Sequence, residues 1–238
     1  LCTFGCRSVV IGPAESLETE SRHFNGVNMF LLYGFLWYLI IAHVGVSAGL
    51  HRYFAHKAFK SHWIYEILVL WMTNLIGLRS PIGWMGVHRM HHHHSDTDLD
   101  PHSPLKVGFW KVLFGIWKVE KIPTKYVRDL YQNPRILFFH NYWHVIWATQ
   151  AFVALLISWQ FFVAYTVIPS ILSLIGFGLV NGVCHVGGKS RNFPIINILT
   201  AGEGYHAEHH KGKNLRFHKY DHMGAILEWL MKIKVIAK

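Results

Sequence analysis

The residues of this sequence best suited to chemistry are histidines, concentrated in a few short segments. Five of the seven residues in His88–His94 are histidine, and residues 95–102 add three aspartates. On a helix, His88, His91 and His92 share one face, so three imidazoles can converge on one point. Because neutral imidazole binds iron, zinc, copper or nickel, the segment indicates a metal site. The alternatives are an affinity tag, which normally lies at a terminus, and a solvated surface run, which a second such segment would argue against.

Three further segments continue this pattern. The string GEGYHAEHH at Gly202–His210 has the same HxxHH spacing, and HRYFAH at His51–His56 is spaced HxxxxH. The two histidines of HRYFAH lie about 140° apart on an ideal helix, so we expect a helix end between them rather than a shared face. Asn181 and His185 share a face if their segment is helical. The four groups supply nine histidines, too many for one tetrahedral zinc site and suited to two adjacent metal ions.

In order and separation, these segments resemble the membrane-bound fatty acid desaturases, in the branch that introduces the first double bond near carbon nine of a saturated acyl chain. The matching strings are HRYFAH, GVHRMHH, SDTDLDPHSP, NGVCH and GEGYHAEHH. The resemblance covers residues 29–238 and implies a di-iron centre with dioxygen as co-substrate. The ligands that it implies are His51, His56, His88, His91, His92, His185, His206, His209 and His210. It also implies that Asn181 lies beside the irons, through a water, and that His93 and His94 are not ligands.

Carboxylates and one tryptophan are expected around these ligands. Candidate acceptors for imidazole N–H groups are Asp96, Asp100, Glu203 and Glu208, and the alternative for each is an exposed carboxylate. Asp100 and Glu203 are favoured because they lie within the strings shared with the family. Trp84 matches a family tryptophan near the acyl tunnel, so we expect it in the substrate tunnel.

Some positions depart from the relatives that use acyl-CoA. Gly86 and Val87 stand where those enzymes carry an Arg-Asp pair, and Gly178 stands where they carry a tryptophan. These differences favour an acyl-lipid substrate over acyl-CoA. We expect electrons to arrive from an external donor, a ferredoxin or a small b-type cytochrome.

Composition places this chemistry in a membrane. The 238 residues are 52% hydrophobic and only 15% charged. Residues 29–50 can cross ~30 Å of hydrocarbon, residues 63–78 predict a shallow helix, and residues 136–186 predict a hairpin of two helices with a turn near residues 159–169. An interfacial helix is expected at residues 109–117. The predicted fold class is an all-α integral membrane protein whose transmembrane helices carry the histidine boxes on a cytoplasmic helical cap.

The basic residues identify the face that carries the histidines. Of 23 lysines and arginines, 21 lie in residues 52–137 and 186–238, so the positive-inside rule predicts an active site on the cytoplasmic face. The net charge of +10 then indicates contact with membrane lipids and not with nucleic acid, for which no motif is present. Three cysteines predict no disulfide framework, and we expect Cys184 to be a buried apolar residue.

Residues 1–28 differ in composition from the rest of the chain. We predict that they form an atypical segment, non-native or disordered, before a single membrane desaturase domain at residues 29–238. The family normally has another transmembrane helix before the one that leads into HxxxxH, and we expect it to be absent here. The predicted function is oxygen-dependent insertion of a cis double bond into a saturated acyl chain. The alternatives are a membrane di-iron fatty acid or alkane hydroxylase, and a membrane metal transporter or sensor, whose ligands would lie within the crossings.

Overall fold

The computed structural model describes residues 29–212 and 214–238, so the segment at residues 1–28 lies outside it. Within the described residues the fold is helical, apart from one isolated β-bridge between Lys60 and Ala237. This agrees with the predicted all-α class. The helices are α1 (Met29–Ala55), α2 (Trp63–Leu75), α3 (Pro81–His94), α4 (Pro104–Val107), α5 (Phe109–Leu113), α6 (Arg128–Tyr131), α7 (Pro134–Ile157), α8 (Trp159–Val183), α9 (His206–His210) and α10 (His222–Lys232), with 3₁₀ turns at Thr124–Tyr126 and Pro194–Ile196.

Two helices of the described chain, α1 and α8, are long and apolar enough to cross a membrane. They have 27 and 25 residues, and an 18-residue stretch of each has a mean hydropathy of 1.9 and 2.0, respectively. At ~1.5 Å per residue, each exceeds the ~30 Å thickness of the hydrocarbon layer. The crossing predicted at residues 29–50 lies within α1.

Helices α1 and α8 pack side by side and run in the same direction. Ile168 of α8 lies against Gly34, and Gly176 lies against Tyr38, so the contacts advance along both helices together. His51 near the end of α1 and His185 just after α8 therefore emerge at the same end of the bundle. We call this end the histidine end.

Helices α2 and α7 run in the opposite direction, away from the histidine end. The α2 side chains of Thr73 and Val69 pack on Gly45 and Gly49 of α1 in antiparallel order. Glu66 of α2 accepts a hydrogen bond from Arg135 at the start of α7, at 2.6 Å, and Asn74 donates to the Trp143 carbonyl at 2.9 Å. Because contacts between α2 and α7 advance together, α7 leads away from the histidine end and α8 returns to it.

The predicted hairpin is thus present, but its turn differs from the prediction. The chain reverses at Ser158, where the backbone is extended (φ −172°, ψ 159°) and the side chain accepts the Phe161 N–H. Pro169, expected at the turn, lies inside α8. The preceding segment Val163–Val167 has π-type winding, which accommodates a residue that lacks an N–H group.

The second half of α1 has the same unusual winding over Ile41–Ala55. The His56 N–H donates to the His51 carbonyl at 3.0 Å, an i→i+5 bond. A helix end does lie between the two histidines, at Ala55, but the prediction that their side chains face apart is wrong. It assumed an ideal α-helix, whereas π-type winding stacks residues five apart.

Short helices and turns cover the histidine end. The helix predicted at residues 109–117 is only five residues long, α5. Trp110 within it and Ile116 after it are 67% and 68% exposed. The α5 backbone lies directly on α8, because a Cβ atom at Gly178 would come within 1.9 Å of the Leu113 carbonyl oxygen. The tryptophan that some relatives carry at this position has no room in this fold.

Candidate metal centre

Two clusters of imidazoles lie at the histidine end. Within each cluster, the ring nitrogens that could bind a metal all lie within 4.8 Å of one another. Cluster A consists of His51, His56, His88, His92 and His209, and cluster B consists of His91, His185, His206 and His210. These are the nine histidines singled out in the sequence, brought together from helices α1, α3 and α9 and from the turn after α8.

Helix α3 contributes to both clusters. It begins at Pro81, where the Ser80 hydroxyl caps the first turn by accepting the Gly83 N–H at 2.8 Å. His88 and His92, one turn apart, enter cluster A, and His91 enters cluster B. One amphipathic helix thus places ligands on two adjacent sites, as the HxxHH spacing allows.

The Nε2 atoms of cluster A point toward a common centre. His51 Nε2 lies 3.0 Å from His209 Nε2 and 3.1 Å from His56 Nε2. His56 Nε2 lies 2.9 Å from His88 Nε2. The π-type end of α1 is what places the first two histidines of this set on one side.

Cluster B repeats this arrangement. His206 Nε2 lies 2.9 Å from His185 Nε2 and 3.0 Å from His210 Nε2, and His91 Nε2 lies 3.3 Å from His210 Nε2. Two nitrogens bound to one metal at ~2.1 Å, at right angles, would lie about 3 Å apart. The spacing in both clusters therefore fits metal coordination.

Three of the nine imidazoles have a fixed tautomer because a carboxylate binds the other ring nitrogen. An ionised carboxylate only accepts hydrogen bonds, so Nδ1 carries the proton and Nε2 presents a lone pair. The pairs, each at 2.9 Å, are His51 with Glu203, His91 with Asp100, and His185 with Asp96. Lone pairs facing one another at about 3 Å need a cation between them, so the chemistry of the donors also fits a metal.

One of the four carboxylates expected to accept imidazole N–H groups lies away from the clusters. Glu208 forms an ion pair with Lys211 at 2.9 Å on the surface and touches neither cluster, so its expected role is wrong. It lies within one turn of His209, but on the outer face of the short helix α9. Asp96, Asp100 and Glu203 lie where the sequence places them.

Burial lowers the pKa of five of the cluster imidazoles. Loss of hydration, together with the neighbouring histidines, lowers the pKa of His88, His91, His206 and His209 well below the usual value. The same causes lower the pKa of His210 to about 3. These five rings are therefore neutral at pH 7, which is the form that binds metal.

An apolar cavity of about 550 Å³ leads from the membrane helices to both clusters. Its walls include Ile76, Trp84, Leu174 and Phe177, and it reaches His88 of cluster A and His91 and His206 of cluster B. Asn181 also lines it.

Trp84 lies beside cluster A, whereas the last two histidines of α3 lie outside both clusters. Trp84 lies in the cavity wall and is stacked on His88. His93 and His94 lie outside both clusters and contact Tyr126. The expectation that they fall outside the ligand pattern agrees with this placement.

Four residues around the clusters were not predicted from the sequence. Arg52, completely buried, bonds Glu203 and Asp221, and Phe217 packs on His209 with ring centroids 4.4 Å apart. His102 stacks on His91 at 4.2 Å. Arg52 and His102 could have been found, because they lie within the strings HRYFAH and SDTDLDPHSP. No local sequence pattern indicates a role for Asp221 or Phe217.

Comparison with known proteins agrees with this geometry. A family model described as fatty acid desaturase matches residues 29–234. The chain is 31% identical over 210 residues to the sn-1 stearoyl-lipid 9-desaturase of Anabaena variabilis, covering 82% of this chain and 76% of the relative. It is 30% identical over 218 residues to the enzyme of the same name from Synechocystis sp., covering 85% and 67%. The acyl-CoA Delta(11) desaturase of Spodoptera littoralis is 32% identical over 195 residues, covering 72% of this chain and 57% of the relative, which is less than two thirds of that protein. The chain belongs to the fatty acid desaturase family.

Proposed function

We propose that the protein is an oxygen-dependent fatty acyl desaturase that inserts a cis double bond near carbon nine of a saturated chain. The observation that carries this proposal is the apolar cavity, which would bring an acyl chain alongside both clusters. Two iron ions would be held by clusters A and B, with Asn181 beside them through a water. The names of two relatives, stearoyl-lipid 9-desaturases, support the substrate class and the position of the double bond.

The substrate explains why such a centre is needed. The middle of a saturated chain has no charge, no acidic proton and no carbonyl, so neither an acid nor a base can activate it. Two irons held by the clusters would, with dioxygen, supply the oxidant: two hydrogens from the chain, together with two electrons from the external donor and two protons, would convert one dioxygen into two waters. The protein's part is to position the chain and exclude water.

The residues of the chain divide these tasks. Asp96, Asp100 and Glu203 orient three imidazoles through their Nδ1–H groups. Trp84, stacked on His88 in the cavity wall, would fix the height of the acyl chain against the clusters. A narrow cavity would hold two neighbouring carbons of the chain within reach of the clusters. This geometry favours loss of a second hydrogen over transfer of oxygen to the first carbon, and so favours desaturation over the alternative, hydroxylation.

The acyl carrier, electron donor and membrane face are further parts of the proposal. Val87 lines the cavity, and Gly86 packs tightly on Ile122 and Val127, so neither supplies the charged pair of acyl-CoA-using relatives. We therefore favour an acyl-lipid substrate. Electrons would come from a ferredoxin or a b-type cytochrome, and the basic residues at the histidine end favour a cytoplasmic site within one domain, residues 29–238.

Lipid profiling tests the proposed function. A host that makes saturated acyl lipids would express the chain or its His209→Ala variant, and derivatised fatty acids would be analysed by mass spectrometry. We expect a cis monounsaturated acid with its double bond near carbon nine only with the unaltered chain. Hydroxy acids as the main product would instead establish the hydroxylase alternative.

A further inference from the structure

The carboxylate that touches cluster A is compensated by a buried cation. Glu203 Oε1 accepts from His51 Nδ1 at 2.9 Å and also from Arg52 Nη1 at 2.9 Å. The Arg52 side chain is 0% exposed, so water and salt do little to screen its charge. The negative charge nearest to cluster A is therefore paired with a positive one.

Arg52 is held firmly at this position. Its Nη2 donates to Asp221 at 3.0 Å, its Nε donates to the Leu215 carbonyl at 3.1 Å, and its guanidinium lies 4.1 Å from the centre of the Phe217 ring. Asp221 is itself fixed, because it accepts backbone N–H groups from Phe217 and from Gly224 in the first turn of α10. Arg52 therefore stays beside cluster A.

Cluster B has two carboxylates and no such cation. Asp100 binds His91 and Asp96 binds His185, each at 2.9 Å. Their other donors are the hydroxyls of Ser95 and Ser190 and backbone N–H groups. In the part of the chain that the structure describes, no lysine or arginine lies within 4.0 Å of either carboxylate. Two negative charges without a partner cation therefore adjoin cluster B, whereas Glu203, Arg52 and Asp221 beside cluster A carry a single net negative charge between them.

Cluster A offers five imidazoles and cluster B offers four, so the difference in charge between the two sites comes from the groups around them. Converting a ferrous ion to a ferric ion adds one positive charge, which nearby negative charges stabilise and a nearby guanidinium opposes. We infer that Arg52 and the carboxylates make the two iron sites unequal, so that the ion in cluster A is reduced first while the ion in cluster B stays ferric. The inference rests on the proposed iron binding.

Asp96→Asn is the most informative variant. Asparagine keeps an acceptor for the His185 Nδ1–H but removes the charge, and it tolerates the left-handed backbone of Asp96 (φ 62°). Asp98→Asn is the matched control, because it removes the same charge from an exposed side chain two residues away. Each full-length protein would be loaded anaerobically with ferrous iron-57 in detergent, oxidised to the diferric state with ferricyanide, and then reduced stepwise with dithionite. Mössbauer spectroscopy at half reduction would give the fraction of molecules with one ferrous and one ferric ion.

The expected changes have a definite sign. In the unaltered chain and in Asp98→Asn, the mixed-valence fraction should exceed the half expected for two equal, independent sites. Asp96→Asn should lower it, because loss of the charge makes cluster B easier to reduce. Arg52→Gln should lower it too, by making cluster A harder to reduce; if that variant does not fold, Asp96→Asn decides.

Other results would overturn the inference. A mixed-valence fraction that Asp96→Asn leaves unchanged would remove the role of the carboxylate, and a fraction that rises would reverse the order of reduction. Failure of the proposed function is seen separately, before any reductant is added, as a protein that binds no iron.

Discussion

The indole of Trp84 is stacked on the imidazole of His88, with ring centroids 5.1 Å apart and planes only 6° from parallel. Trp84 lies one helical turn before His88 on α3, so both side chains leave the same face of the helix. Trp84 also contacts Phe177 of α8, another residue that lines the cavity, with ring centroids 6.1 Å apart. The cavity wall therefore carries a rigid aromatic in direct contact with a cluster A histidine.

Replacing this indole should alter where the double bond forms. We expect Trp84→Ala to lower the rate and to spread the product over neighbouring carbons, because the chain loses the surface that sets its height against the clusters. Trp84→Phe, which keeps a flat ring, should retain more of the original selectivity. Mass spectrometry of derivatised fatty acids measures both effects. An unchanged double-bond position in Trp84→Ala would exclude this residue from control of position.

Histidines inside and outside the clusters should differ sharply on replacement. His209→Ala removes a buried donor from cluster A, and we expect activity to be abolished and bound iron to fall. His91→Ala should have the same effect through cluster B. The iron content of the purified proteins, measured by mass spectrometry, and the fatty acid profile test this expectation.

His93→Ala is the matched control for these two variants. His93 is exposed, contacts His94 and Tyr126, and belongs to neither cluster. We expect it to retain most of its iron and activity. Loss of iron in His93→Ala as complete as that in His91→Ala would contradict the assignment of ligands by cluster.

The parts of this site that sequence could predict are those that depend on local spacing. HxxHH places His88, His91 and His92 on one helix face whatever the rest of the fold, so their place at the metal centre could be foreseen. The expectation that all three meet at one point is wrong, because His91 joins cluster B while His88 and His92 join cluster A. The shared face of His51 and His56 could not be predicted, because it depends on π-type winding that no residue pattern in HRYFAH indicates.

Long-range pairing accounts for the other missed features. Arg52 reaches Glu203 and Asp221 across 151 and 169 residues, and only the packed fold brings these groups together. The turn was predicted near Pro169 because proline usually ends a helix. The π-type winding of the segment before Pro169 lets the helix continue through it. The reversal at Ser158 was therefore placed too late in the chain.

Close backbone packing at Gly178 should make even a methyl group costly. Gly178→Ala would place Cβ within 1.9 Å of the Leu113 carbonyl oxygen, so α5 would have to move. We expect a loss of ~1–3 kcal/mol, equivalent to several degrees in Tm. Gly182→Ala on the same helix is the control, because its new Cβ would meet its nearest atom at 3.6 Å, an ordinary contact. Thermal unfolding in detergent compares them, and equal Tm values would contradict tight packing of α5 on Gly178.

The direction of the helices predicts which loops lie on which side of the membrane. Lys125, in the turn at Thr124–Tyr126, and Lys234, after α10, both belong to the histidine end, whereas Ser158 lies at the α7–α8 reversal on the opposite end. Cysteines would be introduced singly at these three positions in a chain from which Cys2, Cys6 and Cys184 have been removed. Because the basic residues favour a cytoplasmic histidine end, cysteines at 125 and 234 should react with an impermeant thiol reagent only after the membrane is opened. The cysteine at 158 should react in intact cells and serves as the control for reagent access. Labelling of position 125 and not of position 234 in intact cells would mean that the two lie on opposite sides, and clusters A and B could not then form as they do in this fold.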